Sequence, residues 1–212
     1  LADSYRAVAP FDLDALPPIP APATSTPDPA GYERYAVTES GVSPRLVPGT
    51  GEHLVVLDSD EHTPDGHITE DHGVRTTMVE KRLRKDCGLH AEILPPEYAG
   101  DEDPDLLLVN WGSTRGAALE AAAALRSRGT RVGCLHFGQV WPLAPGTFLP
   151  RIEAAREVVC VEGNATGQFA ALLARATGLR IGKLVLRYDG LPFTARFILD
   201  KLGDVSETLR GL

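Results

Sequence analysis

Cysteine is scarce in this sequence: Cys87, Cys134 and Cys160 are all there are, and none belongs to a Cys-x-x-Cys pair. Such spacing excludes a zinc site or an iron–sulfur cluster built from this chain alone, because both need several convergent ligands, mostly thiolates. Cys134 and Cys160 lie inside apolar runs and read as small buried hydrophobes rather than nucleophiles. The compartment reads as reducing and cytoplasmic. Long apolar runs are missing too, since no stretch approaches the roughly 20 residues that span a bilayer. Residues 1–5 lack the basic-then-apolar order of an export signal. Leu1 is not an initiator methionine, which points to a fragment of something longer. Positive charge is in deficit: 21 Lys and Arg against 29 Asp and Glu leave a formal charge of −8. That balance argues against a nucleic-acid partner, whose phosphates are held mostly by clustered Lys and Arg.

What is present suits one α/β domain with attached segments. The apolar fraction of 43% is in the ordinary globular range and supports a packed core. Residues 9–30 carry Pro10, Pro17, Pro18, Pro20, Pro22, Pro27 and Pro29. Proline at that density removes backbone donors and fixes φ, so the segment is expected to be an extended, polyproline-like arm. With the irregular stretch that follows to Pro48-Gly49, it makes a first region, residues 1–50. A second, 51–88, holds a short strand at 54–57, an acidic loop from Asp58 to His67, and a helix over 70–86. That helix has acids in its first turn, Lys81, Arg82, Arg84 and Lys85 towards its end, and Gly88 as a stop. Its apolar stripe is narrow, so it is expected on a surface or bridging two units.

From residue 89 to 212 apolar runs alternate with helical patterns. Strands are expected at 91–94, 106–109, 131–137, 158–161 and 181–186. Helices are expected at 117–128, capped by Ser113 or Thr114, and at 148–155, 168–176 and 192–202. Uninterrupted runs such as Leu106-Leu107-Leu108-Val109 mark strands covered on both faces, so the fold class is a mostly parallel sheet flanked by helices. Contacts in such sheets gather at the carboxyl ends of the strands. Here those ends are 110–113, 138–141 and 162–167.

Three constellations invite chemistry. His62, His67 and His72 stand among carboxylates, a ligand set zinc or manganese would accept. Their equal spacing across a Pro-Gly loop does not supply convergent geometry, and the reading is a solvated or interface loop with no metal. Glu162-Gly163-Asn164-Ala165-Thr166-Gly167-Gln168 joins a strand to a helix whose free N–H groups favour an anion. It has neither the Gly-x-Gly-x-x-Gly nor the Gly-Lys-Ser/Thr signature, and a plain turn with a helix cap remains an equal reading. Trp111-Gly112-Ser113 has the same position one crossover earlier. Trp111 suits core or interface cover better than cofactor stacking.

Several runs, taken in order, resemble the large (alpha) subunit of the 2-oxoacid:ferredoxin oxidoreductases, in particular its 2-oxoglutarate synthase type. They are residues 38–45 with Pro48-Gly49, 59–62 with 66–71, Met78 with Lys81-Arg82, 111–114, Glu162-Gly163-Asn164 with Gly167-Gln168, and Asp189-Gly190 with Pro192-Phe193-Thr194. One departure is Gly163, where the family more usually has a polar residue. The resemblance implies that the chain is the C-terminal part of the alpha subunit, with 89–212 as the transketolase C-terminal-like assembly domain. It implies a holoenzyme using thiamine diphosphate, Mg²⁺ and an iron–sulfur cluster, with coenzyme A as cosubstrate. Partners would be a beta subunit, a second alpha subunit, and ferredoxin through the holoenzyme, with no membrane. No residue of this chain is then catalytic. Trp111, Gly112, Ser113, Glu162, Asn164, Gly167 and Gln168 are expected to contact another domain or subunit. A stand-alone scaffold that kept the domain without catalysis is one alternative reading, and an unrelated nucleotide-binding α/β protein is another. The family's diphosphate- and Mg²⁺-binding Gly-Asp-Gly motif does not occur here. Calorimetric titration of the isolated chain with thiamine diphosphate and Mg²⁺ should therefore give no heat of binding; micromolar affinity would contradict this reading.

Overall fold

A computed structural model describes residues 12–16, 18, 31–49 and 53–209, with side chains as far as 203. The expected proline arm lies outside the described residues, except for a short turn at 12–16 closed by Ala15 N–H to the Asp12 carbonyl (3.2 Å). The described residues divide into two compact units, one reaching to Glu92 and one beginning at Ile93.

In the first unit, α1 (His72–Ala91) is the principal element. Asp71 caps it, its carboxylate accepting the Val74 N–H at 2.8 Å. The helix thus starts two residues later than expected, and it continues through Gly88, which lies inside it rather than ending it. Glycine only weakens a helix when neighbouring residues propagate it. Ala91 is consequently helical, and no strand forms at 91–94. The strand expected at 54–57 does not form: the segment has no regular secondary structure, and Leu54 is 84% exposed.

The acidic loop folds on itself. Thr69 N–H bonds to the Glu61 carbonyl (2.9 Å), Thr63 N–H to the His67 carbonyl (2.8 Å), and His62 bridges Ile68. Gly66 has φ +100, and a Cβ there would meet the Val56 carbonyl oxygen at 2.4 Å, so only glycine fits that approach. Glu61 ties this loop to α1 through Arg82 (2.6 Å) and Arg75 (3.3 Å).

The second unit is built on five strands and four helices. In order they are β1 (Glu97–Gly100), β2 (Leu106–Trp111), α2 (Arg115–Arg126), β3 (Val132–Phe137), α3 (Leu149–Ala154), β4 (Glu157–Glu162), α4 (Gln168–Thr177), β5 (Lys183–Leu186) and α5 (Ala195–Leu209). The sheet order is β1-β3-β2-β4-β5, parallel throughout except that β1 runs antiparallel to β3. The expected parallel, helix-flanked sheet is therefore present, with an antiparallel edge that the run at 97–100 did not announce. Tyr98 of β1 lies over Gly133, where a Cβ would come within 2.5 Å of the phenol oxygen.

Alternate residues of each strand feed two cores. Leu108, Val132, Val159, Val161 and Val185 meet the alanine face of α2 and Ile198 of α5. Leu107, Val109, Leu135, Cys160 and Phe137 meet Ile152 of α3 and Phe169 and Leu173 of α4. Both faces are covered and mostly apolar, which is why the strands read as nearly continuous hydrophobic runs. Cys134 and Cys160 are fully buried within these faces, and burial pushes the Cys134 thiol up to about 11 and raises Cys160 further.

A pH test follows from the Glu61 anchor. The Arg82 hydrogen bond and charge hold its carboxyl at about 2, well below the ordinary 4.5. A depressed carboxyl pKa stabilises the folded state above the unfolded value and loses that contribution as pH falls towards the folded one. Wild-type stability in denaturant should thus drop between pH 4.5 and about 2 by more than that of Glu61→Gln. Equal acid sensitivity of the two proteins would show that this pair contributes nothing.

Candidate functional site

The carboxyl ends of β2 and β4 are adjacent, with Asn110 opposite Val161 across the parallel pair. The chain leaves β2 for α2 on one face of the sheet and leaves β4 for α4 on the other. Loops that diverge to opposite faces open a crevice between two neighbouring strand ends, the usual position for contacts in this kind of sheet.

On the β4 side, Glu162 ends the strand with its side chain completely buried. Its carboxylate accepts the N–H groups of Phe169 (2.7 Å) and Ala170 (2.9 Å) in the first turn of α4, the Asn164 amide (2.8 Å), and the Cys160 thiol (3.4 Å). The free N–H groups at this helix start do call for an anion, as the sequence indicates, and that anion is Glu162 itself. Asn164 completes the loop from within: its Oδ1 accepts Thr166 N–H (3.1 Å) and Gln168 N–H (3.2 Å). Gly167 has φ +65, and a Cβ there would strike Leu184 of β5 at 2.8 Å. Gly163 and Gln168 are exposed.

On the β2 side, Gly112 (φ +58) opens a 3-10 turn, Gly112–Thr114, that leads into α2. The expected cap by Ser113 or Thr114 does not form. Thr114 has helical angles, and its hydroxyl turns back to donate to the Trp111 carbonyl at 2.7 Å. Ser113 is exposed. Trp111 lies half-buried with its ring 6.2 Å from that of Phe169, which in turn packs edge-on against Phe137 at 4.9 Å. This contact joins the two loops, so the structure brings Trp111 and the Glu162–Gln168 turn to one rim. The indole Nε1 is buried and has no hydrogen-bond partner.

Two buried polar residues near the rim have roles that the sequence did not reveal: Asn110, placed only as the start of the 110–113 strand end, and His136, not singled out. Asn110 is fully buried, and its amide bonds to His136 Nδ1 (2.8 Å) and the Cys134 sulfur (3.0 Å). His136, also buried, has its pKa lowered first by desolvation and then by Arg115, with Glu97 opposing. Arg115 and Glu97 pair at 2.6 Å across the strand edge. The available signal was position: Asn110 and His136 are each the last residue but one of an otherwise apolar strand. The three loop histidines do not converge. His62 stacks on Tyr35 (3.7 Å between ring centres), and His67 pairs with Asp65 at 3.0 Å. Among the described residues no three His, Cys, Asp or Glu side chains come together as metal ligands would.

Residues 99–189 match the family model of the transketolase C-terminal domain. The chain is 32% identical over 213 aligned positions to "2-oxoacid:ferredoxin oxidoreductase 2, subunit alpha" of Aeropyrum pernix, an alignment covering 98% of this chain and 33% of that protein. It is 30% identical to "2-oxoglutarate oxidoreductase subunit KorA" of Mycobacterium tuberculosis, over 87% of this chain and 28% of that one. Among solved structures it resembles the 2-oxoglutarate:ferredoxin oxidoreductase of Magnetococcus marinus, a structure with 2-oxoglutarate, coenzyme A and succinyl-CoA bound. That likeness has a TM-score of 0.69 and 25% identity, and covers 85% of this chain and 32% of the other. The chain thus spans about a third of the length of the relatives it matches.

The Glu162 junction gives a direct stability test. Glu162→Gln presents an amide to donors that need an acceptor, leaving at least one buried N–H unpaired, at a cost of about 2 kcal/mol or more. A denaturation midpoint unchanged from wild type would remove Glu162 from this role.

Proposed function

The chain belongs with the alpha subunits of 2-oxoacid:ferredoxin oxidoreductases, and from that premise we propose that it serves as the carboxy-terminal assembly part of such a subunit. The enzyme would oxidatively decarboxylate a 2-oxoacid, of which 2-oxoglutarate is the favoured substrate. It would deliver the acyl group to coenzyme A and the electrons to ferredoxin. The observation that carries this reading is 32% identity sustained over 98% of the chain to an alpha subunit. The names of the mycobacterial relative and of the Magnetococcus enzyme support 2-oxoglutarate.

Thiamine diphosphate, when bound, supplies the carbanion chemistry of decarboxylation, and an iron–sulfur cluster carries the electrons. Among the described residues no three His, Cys, Asp or Glu side chains gather, and Cys87, Cys134 and Cys160 form no cluster-ligand set for iron and sulfur. In our proposal those groups are held elsewhere in the enzyme, with Mg²⁺, by segments that include the beta subunit, and a second alpha subunit completes the assembly.

The part played by this chain is the rim. Trp111, Gly112 and Ser113 on one loop, with Glu162, Asn164, Gly167 and Gln168 on the other, would face another domain or subunit. Within that set the roles divide. Glu162, Asn164 and Gly167 hold the loop from inside, whereas exposed Ser113 and Gln168 and part of the half-buried Trp111 ring would face outward. The half-buried Trp111 ring, an aromatic anchor with few charges around it, suits a specific protein interface. The test is the purified complex containing this chain, assayed for ferredoxin reduction dependent on 2-oxoglutarate and coenzyme A. Turnover is expected, and Trp111→Ala should weaken assembly by roughly 2 kcal/mol. Absence of turnover with any 2-oxoacid would overturn the reading. Normal assembly of the Trp111 variant would reduce the rim to a covered strand end.

A further inference from the structure

At the carboxyl ends of β2 and β3, four polar side chains come together that the assembly reading does not use: Glu97, Asn110, Arg115 and His136. Their hydrogen bonds fix which nitrogen of the His136 ring carries the proton. The Asn110 amide nitrogen lies 3.0 Å from the Cys134 sulfur and 3.5 Å from the Leu135 carbonyl oxygen. A carbonyl only accepts, so the NH2 group stands there and Oδ1 faces the imidazole. Oδ1 also only accepts, so at 2.8 Å it holds the imidazole proton on Nδ1. Nε2 keeps the lone pair and makes no hydrogen bond among the described residues. It is the atom that gains a proton in acid.

Two charges bear on that ring. Glu97 stands directly opposite His136 in the antiparallel β1–β3 pair, so both side chains leave the sheet on one face. It is the face on which Cys134, two residues before His136, packs beside α2, whose first residue is Arg115. Glu97 gives one oxygen, Oε2, to Arg115 Nε (3.0 Å) and Nη2 (2.6 Å). Its Oε1 has no hydrogen bond among the described residues. The other titratable neighbour, Cys134, is a thiol pushed up to about 11 and stays neutral. An imidazolium here would thus meet one cation, Arg115, and one acid, Glu97, with a carboxylate oxygen still open.

We propose that His136 is an acid-operated switch: protonation of Nε2 draws Glu97 from Arg115 onto the imidazolium and frees the start of α2 from the edge strand. The 3-10 turn Gly112–Thr114 runs straight into Arg115, so loss of that ion pair loosens the turn that carries Ser113. β1 stays on the sheet, because Glu97 exchanges one partner for another on the neighbouring strand. Burial and the Arg115 charge oppose protonation, Glu97 favours it, and the first two prevail. A depressed histidine pKa gives stability that is complete above the unfolded value and is lost as pH falls through the folded one. The switch therefore operates below 6.5, and its window opens before that of Glu61. It acts within this chain and holds whether or not the rim is an interface.

The experiment is nuclear magnetic resonance of the full chain from about pH 8 to about pH 5, the range in which histidine titrates. The His136 ring, identified by its contacts with the Asn110 amide, should titrate below 6.5, with the neutral ring protonated at Nδ1. Glu97→Gln should lower that midpoint and Arg115→Gln should raise it; both side chains are exposed, so these variants keep the core. As wild-type His136 titrates, amide exchange at 112–115, corrected for its intrinsic pH dependence, should step to a faster rate. Glu97→Gln should show the faster exchange at every pH, with no step. Equal midpoints in the three proteins, or no step at 112–115 in wild type, overturns the proposal.

Discussion

The carboxylate of Glu162 closes the end of β4 and the start of α4 at once, and the geometry of the rim depends on that double duty. A buried acid is costly unless its oxygens are bonded, and a buried helix start is costly unless its N–H groups are accepted. Here each requirement satisfies the other, at 2.7 and 2.9 Å. Phe169 is thereby held against both Phe137 and Trp111, so the position of the indole follows from a charge placed one strand away. The loop between them then has little freedom. Asn164 spends its amide on the carboxylate and its own turn, and Gly167 must stay without a side chain to pass Leu184.

The same economy appears in the first unit. Segments separated in sequence by many residues, the 38–42 turn, the acidic loop and the middle of α1, meet through Glu61, Gly41, Arg82 and Arg84. These are among the runs on which the family resemblance rests. Their close backbone approaches and salt bridges explain why those residue types stand there without any reference to catalysis. The helix they pack on has a thin apolar stripe, as its sequence suggests, and is held more by ion pairs and capping than by a broad hydrophobic face.

The parallel sheet was legible because β2, β3 and β4 are apolar runs buried on both faces. The strand ends that approach each other were legible because chain order and right-handed crossovers dictate them. The edge strand was not: residues 97–100 are mostly exposed and carry no run, so only pairing with β3 makes them a strand. Leu54-Val55-Val56-Leu57 is the opposite case, an apolar run that finds no partner strand. In the rim, the need for an anion at α4 could be read, but not that a residue six positions before the helix supplies it, because that is a matter of tertiary reach. Asn110 and His136 were hidden for the same reason, each polar group becoming affordable only through the other.

Taken together, a loop pair tied by hydrogen bonds and carrying a half-buried tryptophan, on a chain homologous to a third of an alpha subunit, is the basis of the proposed assembly role. Amide hydrogen exchange, compared between the isolated chain and the chain within its complex, tests this most directly. The account predicts that assembly slows exchange at residues 111–115 and 163–168 while leaving the opposite, amino-terminal ends of β2 and β4 unchanged. Identical exchange at the rim in both states, with protection gained only elsewhere, would contradict it.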